Sequence, residues 1–386
     1  MTLTWRVTSE ARLPEGLAGT LAANRLALWK APGALWAPRT IAVHDGDGVL
    51  VAAALTTARP YNAYRKIVDL IVAPQHDEVE AYAAALRGAI DDVPPNADGT
   101  RPAPIVVRFE EHPSVAPLST GAVSALHEAG FVRDPDPVPS VPSTVPGNSA
   151  HVRSWSQWRE AKSGASPVRG VPYYGQTTDV TCGAVAALTA LEAAGLGRFG
   201  SDGADNHGHE LAFWRRATNL PACEPIGLGV TTATEVSAHT PALGTPRVIL
   251  STDEYVLLEE FADDPLELKL RQQLQKESLR EAQTLGVPVE RRWIEVAEIR
   301  DLVASGSYVC LLIDLEPLIA DPTPHWVLAH DVIGDTLIVT DPWIEAPRGE
   351  SWVDTSAQPI TLAGIDRITR WGDPVIRSVI VIPAAS

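Results

Sequence analysis

Apolar and polar positions along this chain fall into two regimes, divided by a run of prolines. In the first, residues 40–44 and 48–56 are β-branched and apolar on either side of Asp45-Gly46-Asp47, which predicts a hairpin. Residues 66–73 and 104–109 predict two more strands. Between them Val79, Tyr82, Ala83, Leu86 and Ile90 recur at helical spacing and predict a helix over 77–90. A short helix over 119–128 is closed by Gly130. Pro135, Pro137, Pro139, Pro142 and Pro146 then exclude a helix or a central strand. They predict an extended linker over 134–150, separating a domain of residues 1–133 from one of 151–386.

The second regime begins with the apolar run 184–195, a helix opened by Cys182-Gly183. A stretch rich in Gly, Asp and His, 200–208, predicts a loop, and 210–217 a helix. Residues 227–235 read as a turn entering a helix, 246–251 as a strand, and 254–261, 266–285 and 293–304 as helices. Residues 308–314 form a buried strand, followed by strands over 325–333, 336–341 and 374–382. Helices first and a sheet after is an α+β order, preceded by an alternating α/β domain. No internal repeat is visible.

Composition narrows the class. Hydrophobic residues are 45% and charged residues 20%, as in soluble globular proteins, and 386 residues suffice for two or three cores. A net charge of −17 argues against a general nucleic-acid binder and against docking on anionic membrane. Cys182, Cys223 and Cys310 are too few and too scattered for a disulfide framework and lack zinc-ligand spacing. No secretory signal and no membrane-spanning run is visible, so a cytoplasmic chain with reduced thiols is expected.

Cys182 carries the chemistry. A thiol at the mouth of a helix feels the positive end of the dipole, which favours thiolate. Gln176, six residues upstream, is an amide donor for the same spot. A covalent site also needs a base and a group to orient it. His325 opens one predicted strand and Asp341 ends the next, before Pro342. If the two face each other, the hairpin loop spans about 331–335. A two-residue turn at Gly334-Asp335 would put Asp341 on the opposite face from His325. The pairing therefore requires the wider loop.

Gln176, Cys182-Gly183, His325 and Asp341-Pro342, in that order, resemble the papain-like cysteine peptidases that cleave double-glycine leaders from bacteriocins. The likeness is closer to a stand-alone, soluble bacterial branch, through Glu210-Leu211-x-x-Trp214-Arg215-x-Ala217 and Pro324-His325-Trp326-Val327. It covers roughly 168–345. Leader peptidases usually head an ATP-driven exporter, and this chain has no transporter. The resemblance implies a papain-like domain in which His325 is the base for Cys182 and Asp341 orients the ring. Gln176 and the Cys182 backbone N–H would hold the oxyanion, with no metal or organic cofactor. The order of elements over 1–133, ending in residues 124–132, resembles a GNAT-type acetyltransferase fold. The turn at 72–80 departs from it. It has no glycine and carries Asp77, Glu78 and Glu80, which would repel a pyrophosphate. A scaffold or specificity domain without acetyl-CoA in the usual mode is expected.

Other residues read more plainly. Cys310, in an apolar strand, is a small buried hydrophobe, and Cys223, between Pro221 and Pro225, is structural. His330 is a satisfied or exposed histidine rather than a second base. His207 and His209 belong to a polar loop rather than a metal site. Trp326 and Trp343 either pack the core or shield the dyad. The expected function is a cysteine peptidase or amidase acting on a peptide or peptide-like small molecule. The alternatives are an acyltransferase using the same acyl-enzyme, or a non-catalytic peptide-binding module. The sequence sets no oligomeric state.

Overall fold

Period-two apolar runs become strands of two separate sheets, each of seven strands among the described residues. The computed structural model describes residues 3–19, 21–74, 76, 78–144, 152–159, 167–218, 221–239 and 243–384. The chain divides into two compact units. One holds Met1–Asp136, Ser149–Pro167 and Glu345–Asp354; the other holds Pro137–Asn148, Val168–Ile344 and Thr355–Ser386. This differs from a division into 1–133, a linker and 151–386. Residues 137–144 do not run free: Val138 N–H donates to Tyr173 O and Thr144 N–H to Thr177 O. The linker's last residues, 145–150, lie outside the described residues.

The first unit contains β1 (Thr4–Thr8), β2 (Arg39–His44), β3 (Leu50–Thr57), β4 (Tyr64–Val72), β5 (Val106–Glu111), β6 (Val132–Arg133) and β7 (Arg153–Trp158). Their order is β1-β2-β3-β4-β5-β7-β6, antiparallel except for β4 and β5. Strand β7 was not foreseen. Trp155 and Trp158, three residues apart, break the period-two pattern, and both are buried, as are Ser154 and Ser156. Helices Glu78–Asp91 and Thr120–Glu128 pack with Ile41, Val43, Ile67 and Phe109 in one layer. A second layer gathers Leu28 and Trp29 of helix Ala23–Lys30 with Leu55, Val68 and Ile71. The turn singled out at 72–80 includes residues 75 and 77, which lie outside the described residues.

Burial of charge marks this unit. Lys66, fully buried, donates to Glu110 Oε2 at 2.9 Å, to Gly349 O at 2.9 Å and to Asp354. Arg59 grips Glu350 with both arms, Nε to Oε1 at 2.6 Å and Nη2 to Oε2 at 2.5 Å. Trp36 Nε1–H adds a bond to Glu350 Oε1 at 2.5 Å. Burial disfavours the Lys66 cation, but Asp354 and Glu110 outweigh it and hold its pKa above the usual lysine range. These pairs explain why segment 345–354 belongs to the first unit.

The second unit contains β8 (Arg247–Leu250), β9 (Val289–Arg291), β10 (Tyr308–Asp314), β11 (Pro324–Ile333), β12 (Thr336–Thr340), β13 (Gln358–Thr361) and β14 (Ser378–Ile382). The order is β13-β12-β11-β10-β14-β8-β9, antiparallel except for β8 and β9. Helix Cys182–Ala193 is apolar on every side and buried from Cys182 to Leu191, as a central helix must be. It packs on β10 and β11 with Cys310, Leu312, Trp326 and Leu328.

Several expected elements differ. The stretch 200–208 is not a loop throughout: a helix runs Gly203–Ala217, because the Asp202 carboxylate caps it by accepting from Ala204 N–H at 2.8 Å. The helix over 254–261 is reduced to a 3₁₀ turn, Glu259–Phe261, since Leu257 takes a left-handed φ of +57°. The strand expected from 374 starts only at Ser378. Among the described residues no helix is long and apolar enough to cross a membrane.

Candidate active site

Cys182 is the first residue of helix Cys182–Ala193 and is 9% exposed. Its backbone N–H therefore lies at the helix end where amides lack intrahelical partners. Gly183 is a packing requirement: a Cβ there would sit 3.0 Å from Cys223 Cβ and 3.1 Å from Trp326 Cδ1. Glycine at 183 lets helix Cys182–Ala193 press against the sheet.

The residue before it, Thr181, does not cap the helix with its side chain. Its hydroxyl donates instead to Glu210 Oε1 at 2.5 Å. Glu210 is fully buried on helix Gly203–Ala217. It also accepts from Thr177 N–H at 2.9 Å, Thr177 Oγ1 at 2.7 Å and Tyr174 OH at 2.9 Å. One carboxylate thus fixes the loop between Tyr174 and Thr181, which carries Gln176 and leads into Cys182. Sequence reading gave Glu210 no role. The available signal was a run of hydroxyl residues, Tyr173, Tyr174, Thr177, Thr178 and Thr181, crowded before an apolar helix with Asp179 as the one carboxylate among them.

Gln176 is buried; its backbone N–H donates to Pro342 O at 3.0 Å and its Nε2 to Thr178 O at 2.7 Å. The first bond joins the glutamine loop to the end of β12, where Asp341 sits.

His325 and Asp341 meet, though not as the sequence required. The β11–β12 turn is the tight one: Ile333 pairs with Thr336, leaving only Gly334 and Asp335 between them. On a uniform ladder that turn would put Asp341 on the wrong face. The ladder is not uniform. Asp331 pairs with Ile338 but Ala329 pairs with Val339, so His330 is an extra residue. This bulge restores the parity that the turn removed. His325 Nε2–H donates to Asp341 Oδ1 at 2.7 Å, and Trp343 N–H donates to the same oxygen at 2.8 Å. Asp341 N–H is held by Thr355 O at 2.9 Å.

The His325 ring also lies close enough to Cys182 for the sulfur to favour its charged form. With Nε2 taken by Asp341, Nδ1 is the nitrogen left for sulfur. Burial alone would favour the neutral ring, but Asp341 and the Cys182 sulfur outweigh it and hold the pKa at about 10. The arrangement stabilises an imidazolium between a carboxylate and a sulfur. The other two thiols are disfavoured as anions: burial raises Cys310 to about 12, and burial, with Cys182 and Glu224 nearby, raises Cys223 well above the thiol range.

The remaining candidates fall elsewhere. Trp326 belongs to the core, its Nε1–H donating to Cys223 O at 3.0 Å, while Trp343 is half-buried beside Asp341. His330 is buried, and burial and Arg169 push its pKa down to about 3, so it cannot gain a proton near neutrality. His207 lies on helix Gly203–Ala217, its Nδ1 2.8 Å from Thr177 Oγ1, and His209 is exposed.

A profile of the Peptidase_C39 like family matches residues 171–383, more than half of the chain. No curated protein matches. Among solved structures, spermidine N-acetyltransferase from Vibrio cholerae in an intermediate state is similar at 18% identity and a TM-score of 0.23. That match covers 32% of this chain and 65% of the other. The same enzyme in complex with CoA and spermine is 15% identical over 41% of this chain and 95% of the other, with a TM-score of 0.25. Nourseothricin acetyltransferase is 17% identical over 31% and 65%, with a TM-score of 0.19. The chain thus spans a little under two thirds of the first of these structures.

Proposed function

Because the chain belongs to the Peptidase_C39 like family, we propose that it is a cysteine peptidase or amidase acting on a peptide or peptide-like amide through a Cys182 acyl-enzyme. The observation that carries this reading is one buried imidazole shared between Asp341 Oδ1, at 2.7 Å, and Cys182 at a helix N-terminus.

The chemistry then runs as follows. His325 holds the proton taken from Cys182, leaving a thiolate beside an imidazolium. The thiolate attacks the amide carbon; a C–S bond forms and the carbonyl electron pair moves to oxygen. Gln176 Nε2–H and the Cys182 backbone N–H receive this oxyanion. Collapse breaks the C–N bond, and His325 hands its proton to the departing amine. Water, deprotonated by His325, attacks the thioester, releases the acid and returns the thiol. Asp341 keeps the Nε2–H tautomer, so that Nδ1 faces sulfur.

The test is thiol reactivity. At pH 6–7 an iodoacetamide probe should label Cys182 at least tenfold faster than Cys223 or Cys310, and the advantage should vanish in His325→Ala. Equal labelling of the three cysteines would remove the reading. Product analysis of an acyl donor with and without added amine then separates hydrolysis from transfer.

A further inference from the structure

The backbone around Gln176 is tied to three distant segments of the second unit. Gln176 N–H donates to Pro342 O at 3.0 Å, and Thr177 N–H donates to Glu210 Oε1 at 2.9 Å. Thr177 O accepts from Thr144 N–H at 2.8 Å, and the Ser143 and Thr144 hydroxyls donate to the same oxygen at 3.2 and 3.3 Å. The end of the proline run thus holds one side of the loop, the Asp341-Pro342 corner a second and Glu210 a third. Of the three anchors, Glu210 alone holds through an ionised side chain.

That carboxylate is fully buried, and no lysine or arginine pairs with it among the described residues; His207 Nδ1 stands 3.9 Å from its Oε2. A buried carboxylate without a strong cation depends on hydrogen bonds for its compensation. Four donors supply them: Thr177 N–H and the Thr181 hydroxyl on Oε1, the Thr177 hydroxyl and Tyr174 OH on Oε2. A carboxylate offers about four lone-pair positions, so its capacity is filled. Thr177 Oγ1 has a single hydrogen and spends it on Oε2, which makes His207 Nδ1, 2.8 Å away, the donor to that hydroxyl. Burial and the neighbouring Glu210 charge hold the Tyr174 phenol well above its ordinary range, so it keeps its proton and remains a donor. Tyr174, Thr177 and Thr181 bracket Gln176 and end one residue before Cys182. The anion therefore gathers the whole loop into one shape. A neutral amide of the same size could not, because its nitrogen would face donors with a donor.

We propose that Glu210 is a positioning residue for the oxyanion donors: its carboxylate sets the place of the Gln176 amide relative to the Cys182 backbone N–H. Both donors then stand where the oxyanion develops before any substrate arrives. Glu210 touches no reacting atom, and it leaves the ionisation of Cys182 to His325 and Asp341. A donor displaced by about 1 Å costs about a hundredfold in rate, so a residue that acts only through Gln176 carries a large effect. The inference rests on the acyl-enzyme reading above.

Two reagents separate the thiolate from the oxyanion donors. Iodoacetamide reacts by displacement at a saturated carbon and forms no oxyanion, so it reads the thiolate alone. p-Nitrophenyl acetate acylates Cys182 through a tetrahedral oxyanion and releases p-nitrophenolate, so it reads both; Cys182→Ala supplies the background rate. Glu210→Gln should slow acylation by about a hundredfold, with the iodoacetamide rate within about threefold of the parent. Gln176→Ala should show the same split. Gln176→Ala/Glu210→Gln should be no more than about threefold slower than Gln176→Ala, since a residue that acts through Gln176 has nothing left to place. Tyr174→Phe and Thr177→Val each remove one hydroxyl donor and should lose about tenfold in acylation alone. Those two variants decide the matter if Glu210→Gln does not fold. Unchanged acylation, a fall in both rates together, or losses that multiply in the double variant overturns the positioning role while leaving the activated thiol of the parent standing. If iodoacetamide shows no preference for Cys182 over Cys223 and Cys310 in the parent, the acyl-enzyme reading falls and the positioning role with it.

Discussion

At the scale of the residue, His325 balances two opposed influences. Burial disfavours its charge, and Asp341 with the Cys182 sulfur restores it, leaving a pKa of about 10 against an ordinary value of 6.5. A group raised in this way stabilises the folded chain fully below about pH 6.5, and the contribution is lost as pH rises through about 10. Asp341→Asn should therefore melt well below the parent at pH 6, by the equivalent of about 3 kcal/mol for a broken buried pair. The gap should close between pH 7 and pH 10.5; a gap constant across that range would contradict the assignment. The residue types around Cys182 were legible because the chemistry restricts them. A thiol at a helix mouth, an amide donor six residues before it and a base followed by a carboxylate leave few other readings. Glu210 was not legible, because its partners Tyr174, Thr177 and Thr181 lie 29 to 36 residues away and converge on it only after folding.

At the scale of the element, the β11–β12 hairpin shows where pattern reading stops. Gly334-Asp335 is a tight-turn dipeptide, and the tight turn forms. What compensates for it is one unpaired residue, His330, and neither composition nor periodicity announces a bulge. Deleting His330 should leave the turn intact and carry Asp341 to the other face of the sheet. Labelling of Cys182 at pH 6–7 should then fall to the level of Cys310, whereas His330→Ala, which keeps the residue count, should retain fast labelling. Equal labelling in the deletion variant and the parent would show that the bulge does not set the pairing. The same limit applied at Gly203–Ala217, where a stretch rich in Gly, Asp and His reads as loop until Asp202 is seen to cap it. Long apolar runs such as 308–314 were read with their boundaries intact, because a strand buried on both faces leaves no other pattern.

At the scale of the molecule, the proline run suggested two successive domains, and the chain is not built that way. It passes from one compact unit to the other after residues 136, 148, 167, 344 and 354. Long-range salt bridges such as Arg59–Glu350 hold the stray segment and have no local sequence signature. Arg59→Met should destabilise the protein by about 3–5 kcal/mol in urea titration, since it strands a buried carboxylate, and Arg59→Met/Glu350→Met should recover most of that loss. A double variant no more stable than the single one would show that the pair is not what matters. The interleaving also bears on heredity. A recombination event that cut the gene at the proline run would pass on Glu350 and Asp354 without Arg59 and Lys66, so the offspring would inherit two buried acids and neither of their cations. Such halves cannot be exchanged piecemeal between lineages, and each should carry the ancestry of the other.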